Sequence, residues 1–201
     1  MTPTDIAFSP AVKAVQARKG SRGTYAGITM GDTIDVNLAA FIAARESVYL
    51  ASASAEGQPY VQHRGGPPGF LHVIDERSLG FADLRGNRQF ISTGNFSENP
   101  RAFLFLMDYA RRQRVKIWGN VRVVEDDPEL IAQLFPNGYR AKAEQAMLFT
   151  ITAWDANCPA HIPILLPAAD VAAAMAVRDA RIATLEGQLA AMQSAKNERL
   201  F

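Results

Sequence analysis

The chain has 201 residues, of which 48% are hydrophobic and 20% are charged, and its formal net charge is +1. These values fit one ordinary globular domain, and the balanced charge gives no global attraction to nucleic acid or to a membrane surface. The single cysteine excludes an internal disulfide, and with neither a signal-peptide pattern nor an apolar run of the roughly 20 residues that span a bilayer, we expect a cytoplasmic protein.

The N-terminal half of the chain predicts helices followed by strands. Residues 1–31 are weakly patterned and predict a lead-in with a short helix over 10–18. A firmer helix follows, which Asp32 or Thr33 can cap and which should end near Arg45. Four short strands separated by tight turns come next, at 48–53, 59–64, 70–74 and 79–84. Such a series predicts an antiparallel meander.

Two longer strands follow in the middle of the chain. Residues 101–108 are apolar on both faces, which predicts a strand that is buried on both sides. Residues 115–123 alternate between apolar side chains and a row that includes Lys116 and Trp118, so this strand should bury one face only. We expect the polar-aromatic row to face a ligand or a partner subunit.

The C-terminal part predicts a short capped helix over 126–135, a long strand over 145–154, and a helix from Ala168 onwards. Apolar residues of the last helix recur in steps of four and three, which is a heptad pattern. The heptad seam consists of Val171, Met175, Arg178, Ile182, Leu185, Leu189 and Met192. This seam can pair with a second copy or pack along the chain's own barrel, and the sequence leaves both interpretations open.

The order of these elements predicts a mainly β fold with inserted helices. About six antiparallel strands favour a closed or nearly closed small barrel, because closure removes exposed strand edges. We expect a six-stranded antiparallel barrel with a C-terminal helix. The predicted divisions are a lead-in over 1–31, the barrel domain over 32–167 and the helix over 168–201.

A basic loop is the first candidate binding site. The strand at 79–84 runs into this loop, which carries Arg85 and Arg88 and opens a helix at Asn87 that ends near Asn99. Cations and free N–H donors at a strand-to-helix junction suit a phosphate group. The alternative interpretation is a surface loop with two solvated arginines.

Other residues could contact a flat aromatic ligand, and each also has a purely structural interpretation. Gly65 and Gly66 allow close approach of the backbone, or they belong to an ordinary interrupted hairpin. Trp154 can contact a ring or pack in the core, and Arg114 with Lys116 can reach a ligand or form a solvated strand face. Phe70 and Trp118 are further candidates for an apolar wall. The three histidines, His63, His72 and His161, lack metal-ligand spacing, and Cys158 suits a buried inert thiol, so we expect no metal site.

In chain order, several short pieces resemble the pyridoxamine 5'-phosphate oxidase-like family, in its FMN-binding split-barrel group. The pieces are Gly80-Phe81, Asn87-Arg88-Gln89, Asn99-Pro100, Phe105 to Asp108, Arg112-Gln113 and Val115-Lys116, and the run over 154–162 resembles the signature of an uncharacterised branch. The resemblance, which extends from about Arg45 to His161, implies a split barrel that forms a homodimer, with FMN at the subunit interface and Trp154 contributed by the partner chain. The residues that it assigns to the FMN site are Arg64, Gly65, Gly66, Asp83, Arg85, Asn87, Arg88, Gln89, Arg114, Lys116 and Trp154.

One departure from the family bears on the substrate. The true oxidase holds its substrate phosphate with a Ser-Arg-Pro-rich segment, and residues 134–140 do not match it, so we do not expect vitamin B6 oxidation. We expect an FMN-dependent oxidoreductase, of oxidase or reductase type, that acts on an unidentified small molecule and needs no assigned catalytic side chain. The alternatives are a non-catalytic module that binds flavin or haem, and an interaction protein built on the C-terminal heptads.

Overall fold

The computed structural model describes residues 2–156 and 159–198. The chain divides into a first unit, which comprises the residues up to 160 except 109–111, and a second unit, which comprises 109–111 and the residues from 161. In the described part of the first unit the strands are β1 (Ser47–Ala53), β2 (Pro59–Gly65), β3 (His72–Asp75), β4 (Ser78–Leu84), β5 (Arg101–Asp108), β6 (Gln113–Val124) and β7 (Ala143–Ala156). The helices of this unit are α1 (Pro3–Ala7), α2 (Pro10–Arg18), α3 (Arg22–Ala26), α4 (Val36–Ala43), α5 (Ile91–Glu98) and α6 (Pro128–Leu134), and the second unit contains α7 (Ala168–Glu198).

All seven strands form one antiparallel sheet in the order β2-β1-β5-β6-β7-β4-β3. The mainly β fold with helices is therefore confirmed, but the expected six-stranded, closed or nearly closed barrel is not what the structure shows. The sheet has seven strands, and no ladder between its edge strands, β2 and β3, closes it within the described residues. The longest pairing joins β6 to β7, from Val115 opposite Ala156 to Val124 opposite Ala146.

The inner face of the sheet carries the core. Because side chains alternate along a strand, every second residue of β1, β5 and β6 lies on this face. Val48, Leu50, Leu104, Leu106 and Ile117 are all buried there. Full burial of such a side chain stabilises the fold by about 1.5–3 kcal/mol, so this face supplies much of the driving force for folding.

The opposite, outer face of the same strands is aromatic and less buried. Phe103 lies 5.0 Å from Trp118 and 6.3 Å from Phe105, measured between ring centroids, and Tyr49 and Val61 are 39% and 59% exposed. We call Tyr49, Val61, Phe103, Phe105 and Trp118 the outer aromatic face. The expectation that β5 is buried on both sides therefore holds on one side only, since Phe103 and Phe105 are half-buried.

Helix boundaries follow local capping chemistry. The helix over 10–18 forms as predicted. The cap of α4 is Asp35, whose carboxylate accepts the Leu38 N–H at 2.7 Å, rather than Asp32 or Thr33. The reason is spacing, because a side-chain cap accepts from the residue two or three positions further on.

A buried ion pair fixes the end of α4 to β5. The Arg45 guanidinium lies 2.9 Å from the Asp108 carboxylate and donates to the Met107 carbonyl at 2.8 Å. It also donates to the Phe41 carbonyl at 3.1 Å and lies over the Phe41 ring. A guanidinium with this many partners satisfies the rule that a buried charge must be paired and hydrogen-bonded.

The α7 helix of the second unit is 31 residues long. Its apolar seam residues are exposed from Val171 to Met192. Among the described residues, no helix combines the length and the hydrophobicity needed to cross a membrane.

Candidate functional site

An ion pair between two strands that are not ladder neighbours marks one end of the inner face. Arg64 lies on β2 opposite Val48 of β1, and its Nε atom is 3.3 Å from Oδ1 of Asp83 on β4. Both side chains are largely buried, at 14% and 12% exposure. The pair therefore spans the gap that the sheet leaves open between β2 and β4.

The Asp83 carboxylate contacts Gln145 as well as Arg64. The Gln145 side-chain amide donates to Asp83 Oδ2 at 2.8 Å and to Thr93 Oγ1 at 2.9 Å. Burial raises the pKa of Asp83, the Arg64 charge and the Gln145 hydrogen bond oppose that rise, and the negative charge of Glu144 adds to it. The favourable contacts of Asp83 therefore offset only part of the cost of burying its negative charge.

The loop between β4 and α5 has unusual backbone geometry. Arg88 and Phe90 have φ values of 58° and 52°, a left-handed conformation that costs a residue other than glycine roughly 1–2 kcal/mol. Such backbone outliers concentrate at functional sites. The side chain of Asn87 accepts the Gln89 N–H at 3.2 Å, and the Arg88 guanidinium lies 5.4 Å from the Phe90 ring centroid. The helix begins at Ile91, four residues after the expected start at Asn87, because this irregular turn precedes it.

Loop, strand and helix together form a polar pocket at the start of α5. It is lined by Gln62, Arg64, Asp83, Leu84, Gly86, Asn87, Arg88, Gln89, Phe90, Ser92, Thr93 and Glu144. The cavity volume is only about 30 Å³, which is far below the roughly 300–1,000 Å³ found for small-molecule sites. The pocket therefore suits a polar head group rather than a whole flavin.

The donors in the pocket fit an anion. The Nε atom of Arg64 is buried and makes no hydrogen bond to any described residue, although the Asp83 carboxylate lies close to it. A buried charged donor without a hydrogen bond is costly unless a ligand or water completes it. Arg88 and the amide side chains of Asn87 and Gln89 add further donors at the same place. This combination of donors is what a phosphate group requires.

Glu144, at the start of β7, is a pocket residue that the sequence did not reveal. Its Oε1 atom lies 3.1 Å from Arg88 Nε and 3.7 Å from Arg85 Nε. Arg85 is not among the lining residues and takes part through this carboxylate. Gln62, two positions before Arg64 on the same face of β2, could have been found from the period of a strand, whereas no local signal pointed to Glu144.

The remaining candidates do not line this pocket. A Cβ atom on Gly66 would lie 2.6 Å from the Phe70 side chain, so close packing inside the chain already requires glycine there. A Cβ atom on Gly65 would lie 2.9 Å from the His63 ring. Arg114 and Lys116 are on the outer face of β6, and Lys116 pairs with Asp155 at 2.8 Å.

Trp154 is placed by the segment that precedes α4. Its ring packs against the core, its indole N–H donates to the Thr33 carbonyl at 2.8 Å, and its backbone pairs with Gly31. A Cβ atom on Gly31 would overlap the indole ring, so only glycine allows this contact. Within one chain, Trp154 therefore anchors residues 31–33 to β7.

Metal binding is not supported by the described residues. Among them, no group of three or more His, Cys, Asp or Glu side chains is arranged to hold a metal ion. Cys158, expected to be a buried inert thiol, lies outside the described residues. His161 belongs to the second unit, where its φ is 62°.

The described part of the first unit is thus an antiparallel sheet with flanking helices and an arginine-containing polar pocket at a strand-to-helix loop. The sequence model of the family described as pyridoxamine 5'-phosphate oxidase matches residues 34–158. The chain belongs to that family, as its short motifs indicated.

Similar solved structures come from several bacteria. One is a putative pyridoxamine 5'-phosphate oxidase from Lactobacillus delbrueckii, at 19% identity and a TM-score of 0.47, covering 62% of this chain and 95% of that one. Another is an FMN-binding protein from Syntrophomonas wolfei, at 10% identity and a TM-score of 0.47, covering 75% and 99%. HutZ, a heme storage protein from Vibrio cholerae, matches at 17% identity and a TM-score of 0.38, covering 58% and 87%. No curated protein matches the chain.

Proposed function

We propose that this chain binds FMN and acts, as a homodimer, in oxidation or reduction of a small molecule. The observation that carries the proposal is the buried Arg64 Nε donor without a hydrogen bond, in a pocket that also holds Arg88, Asn87 and Gln89. Family membership supports it, because FMN is the cofactor that the family resemblance implies. When bound, FMN supplies the electron-transfer chemistry of its ring.

The roles proposed for the pocket residues follow from their chemistry. Arg64 and Arg88 hold the phosphate by charge-assisted hydrogen bonds, and the Asn87 and Gln89 side chains add neutral donors. Asp83 keeps the Arg64 guanidinium in place through their ion pair. Arg85, whose side chain is half exposed, contributes positive potential rather than a buried contact.

A second copy is proposed to complete the site. The pocket of one chain is too small for a flavin ring, and the outer aromatic face exposes apolar surface that a partner would bury. Arg114 and Lys116 lie on that same outer face. In this proposal they approach the ring, together with Gly65, Gly66 and Trp154, only once two chains meet.

The test is whether the purified protein takes up FMN through its phosphate. We expect the protein to be yellow or to become so on addition of FMN. Arg88→Ala should weaken FMN binding by about 1–3 kcal/mol, because it removes a charge-assisted hydrogen bond. Arg77→Ala is the matched control, since Arg77 is an exposed arginine that pairs with Asp32 outside the pocket. A colourless protein that takes up no FMN would refute the proposal, and an unchanged affinity in Arg88→Ala would remove Arg88 from the site.

A non-catalytic flavin- or haem-binding module is the second candidate. One observation favours it: no histidine, cysteine or tyrosine is among the described residues that line the pocket, and its two carboxylates, Asp83 and Glu144, are both paired with arginines. The described part of the pocket therefore offers no unpaired side chain for proton transfer. Oxidation of NADH or NADPH by the FMN-loaded dimer, across a panel of acceptors, separates the two candidates. A haem module would instead bind haem in preference to FMN in a competition titration.

A further inference from the structure

Within the pocket, a carboxylate already lies where the anionic ligand needs positive charge. Glu144 Oε1 is 3.1 Å from Arg88 Nε and 3.7 Å from Arg85 Nε, and Glu144 lines the same pocket as Asn87 and Gln89. The arginines proposed to attract the phosphate are therefore already neutralised in part by the chain itself.

We propose that Glu144 competes with the ligand phosphate for Arg85 and Arg88, and so determines how tightly the site holds a phosphate monoester. The inference rests on the proposed function of the pocket and assigns a specificity role to a residue outside the FMN site expected from the sequence. In the bound state the Glu144 side chain gives up its contact with Arg88 to the phosphate.

The charges around the pocket support this role. Three guanidinium groups, those of Arg64, Arg85 and Arg88, face two carboxylates, Asp83 and Glu144, so one positive charge is in surplus. A phosphate monoester is close to a dianion at neutral pH and exceeds that surplus. Removing the Glu144 charge restores the match, and repulsion between like charges at contact distance is strong where water is partly excluded.

Glu144 is able to leave its arginines, whereas Asp83 is not. The Glu144 side chain is 26% exposed, and its partners Arg85 and Arg88 are 50% and 53% exposed. Asp83 is 12% exposed and accepts a hydrogen bond from Gln145 in addition to its ion pair with Arg64. Exposed ion pairs cost little to exchange, and breaking a buried pair is expensive. The competing group is therefore Glu144.

The experiment compares wild type with Glu144→Gln, which removes the charge and keeps the size. Dissociation constants are measured by calorimetry for FMN, for riboflavin, which lacks the phosphate, and for inorganic phosphate. We expect Glu144→Gln to bind FMN and inorganic phosphate on the order of tenfold more tightly, with riboflavin unchanged. The gain should shrink at high salt, since the effect is electrostatic. Glu56→Gln, on the exposed turn between β1 and β2, makes the same charge change outside the pocket and should alter none of the three constants.

Each outcome decides the inference. Unchanged or weaker phosphate binding in Glu144→Gln would overturn it, because Glu144 would then be neutral or would help by orienting Arg88. Equal tightening for riboflavin and FMN would also overturn it, since the effect would not act on the phosphate. If the proposed function itself is wrong, neither wild type nor Glu144→Gln will bind FMN. The change in affinity for inorganic phosphate would still show whether Glu144 competes for the arginines.

Discussion

Replacing Arg64 by methionine tests whether the ion pair between β2 and β4 holds the open side of the sheet together. The substitution keeps most of the side-chain volume and removes the charge that faces Asp83. It leaves a carboxylate that is 12% exposed with the Gln145 amide as a remaining hydrogen-bond donor. The free energy of unfolding should therefore fall.

The magnitude follows from burial. Breaking a buried pair by removing one partner costs about 3–5 kcal/mol, and the lower figure applies because Gln145 still donates to Asp83. Adding Asp83→Asn to Arg64→Met removes the unpaired charge, so the double variant should lose less than about 1 kcal/mol relative to wild type, as replacement of both partners is close to neutral. Asp83→Asn alone also leaves a charge without its partner, so the expected coupling energy between the two positions is at least about 2 kcal/mol.

Urea unfolding at neutral pH measures all members of this double-mutant cycle, provided that the m-value stays constant. The control cycle uses Arg77→Met and Asp32→Asn, whose atoms are closer, at 2.7 Å, but whose side chains are 51% and 40% exposed. That exposed pair should couple by no more than about 1 kcal/mol. Additive effects at Arg64 and Asp83, within about 0.5 kcal/mol, would refute the reasoning that this ion pair stabilises the open side of the sheet.

Three further predictions concern other parts of the first unit. Burial raises the pKa of the Asp83 carboxyl group, so the folded chain binds the carboxyl proton more tightly than the unfolded chain does. The free energy of unfolding should therefore fall as the pH rises from 3.8 through the raised pKa. In urea unfolding across this range, the free energy of unfolding of Asp83→Asn should depend less on pH than that of wild type. Gly119→Ala should destabilise the fold by about 1–3 kcal/mol, because the added Cβ would overlap a backbone carbonyl of β7. Gly94→Ala in α5 should stabilise it by about 0.4–1 kcal/mol, because a Cβ there meets nothing within 4 Å. Equal shifts of the two variants in thermal unfolding would contradict this contrast. Phe103→Arg on the outer aromatic face should convert the proposed dimer to monomer, as measured by light scattering, and Val36→Arg, at a position that is 80% exposed on α4, should not.

The regular elements could be predicted because their signals are local. Alternation over 115–123 placed Lys116 and Trp118 on one face of β6 correctly, and Ser9, Pro10 and the following residues formed the helix expected over 10–18. The strand order could not be predicted, because pairing between β4 and β7 joins residues that are about sixty to seventy positions apart. No local pattern encodes which of several distant strands will be neighbours.

The candidate site was predictable where its residues share one loop and not where the tertiary fold brings them in. Asn87, Arg88 and Gln89 follow one another and line the pocket as a group. Glu144 precedes the strand expected at 145–154, and only pairing of β7 with β4 brings it to the arginines. For Trp154 the sequence suggested contact with a ligand ring. In the structure its indole N–H donates to the Thr33 carbonyl of the same chain.

The two tryptophans of this chain lie on opposite sides of one sheet and in different surroundings. Trp118 belongs to the outer aromatic face, beside Phe103 and under the Lys116 ammonium group, while Trp154 packs on the inner side below residues 31–33. Intrinsic fluorescence can therefore be divided by single substitutions into two reporters. With Trp154→Phe, the remaining Trp118 emission should respond to formation of the proposed dimer. With Trp118→Phe, the Trp154 emission should respond to detachment of residues 31–33 from β7.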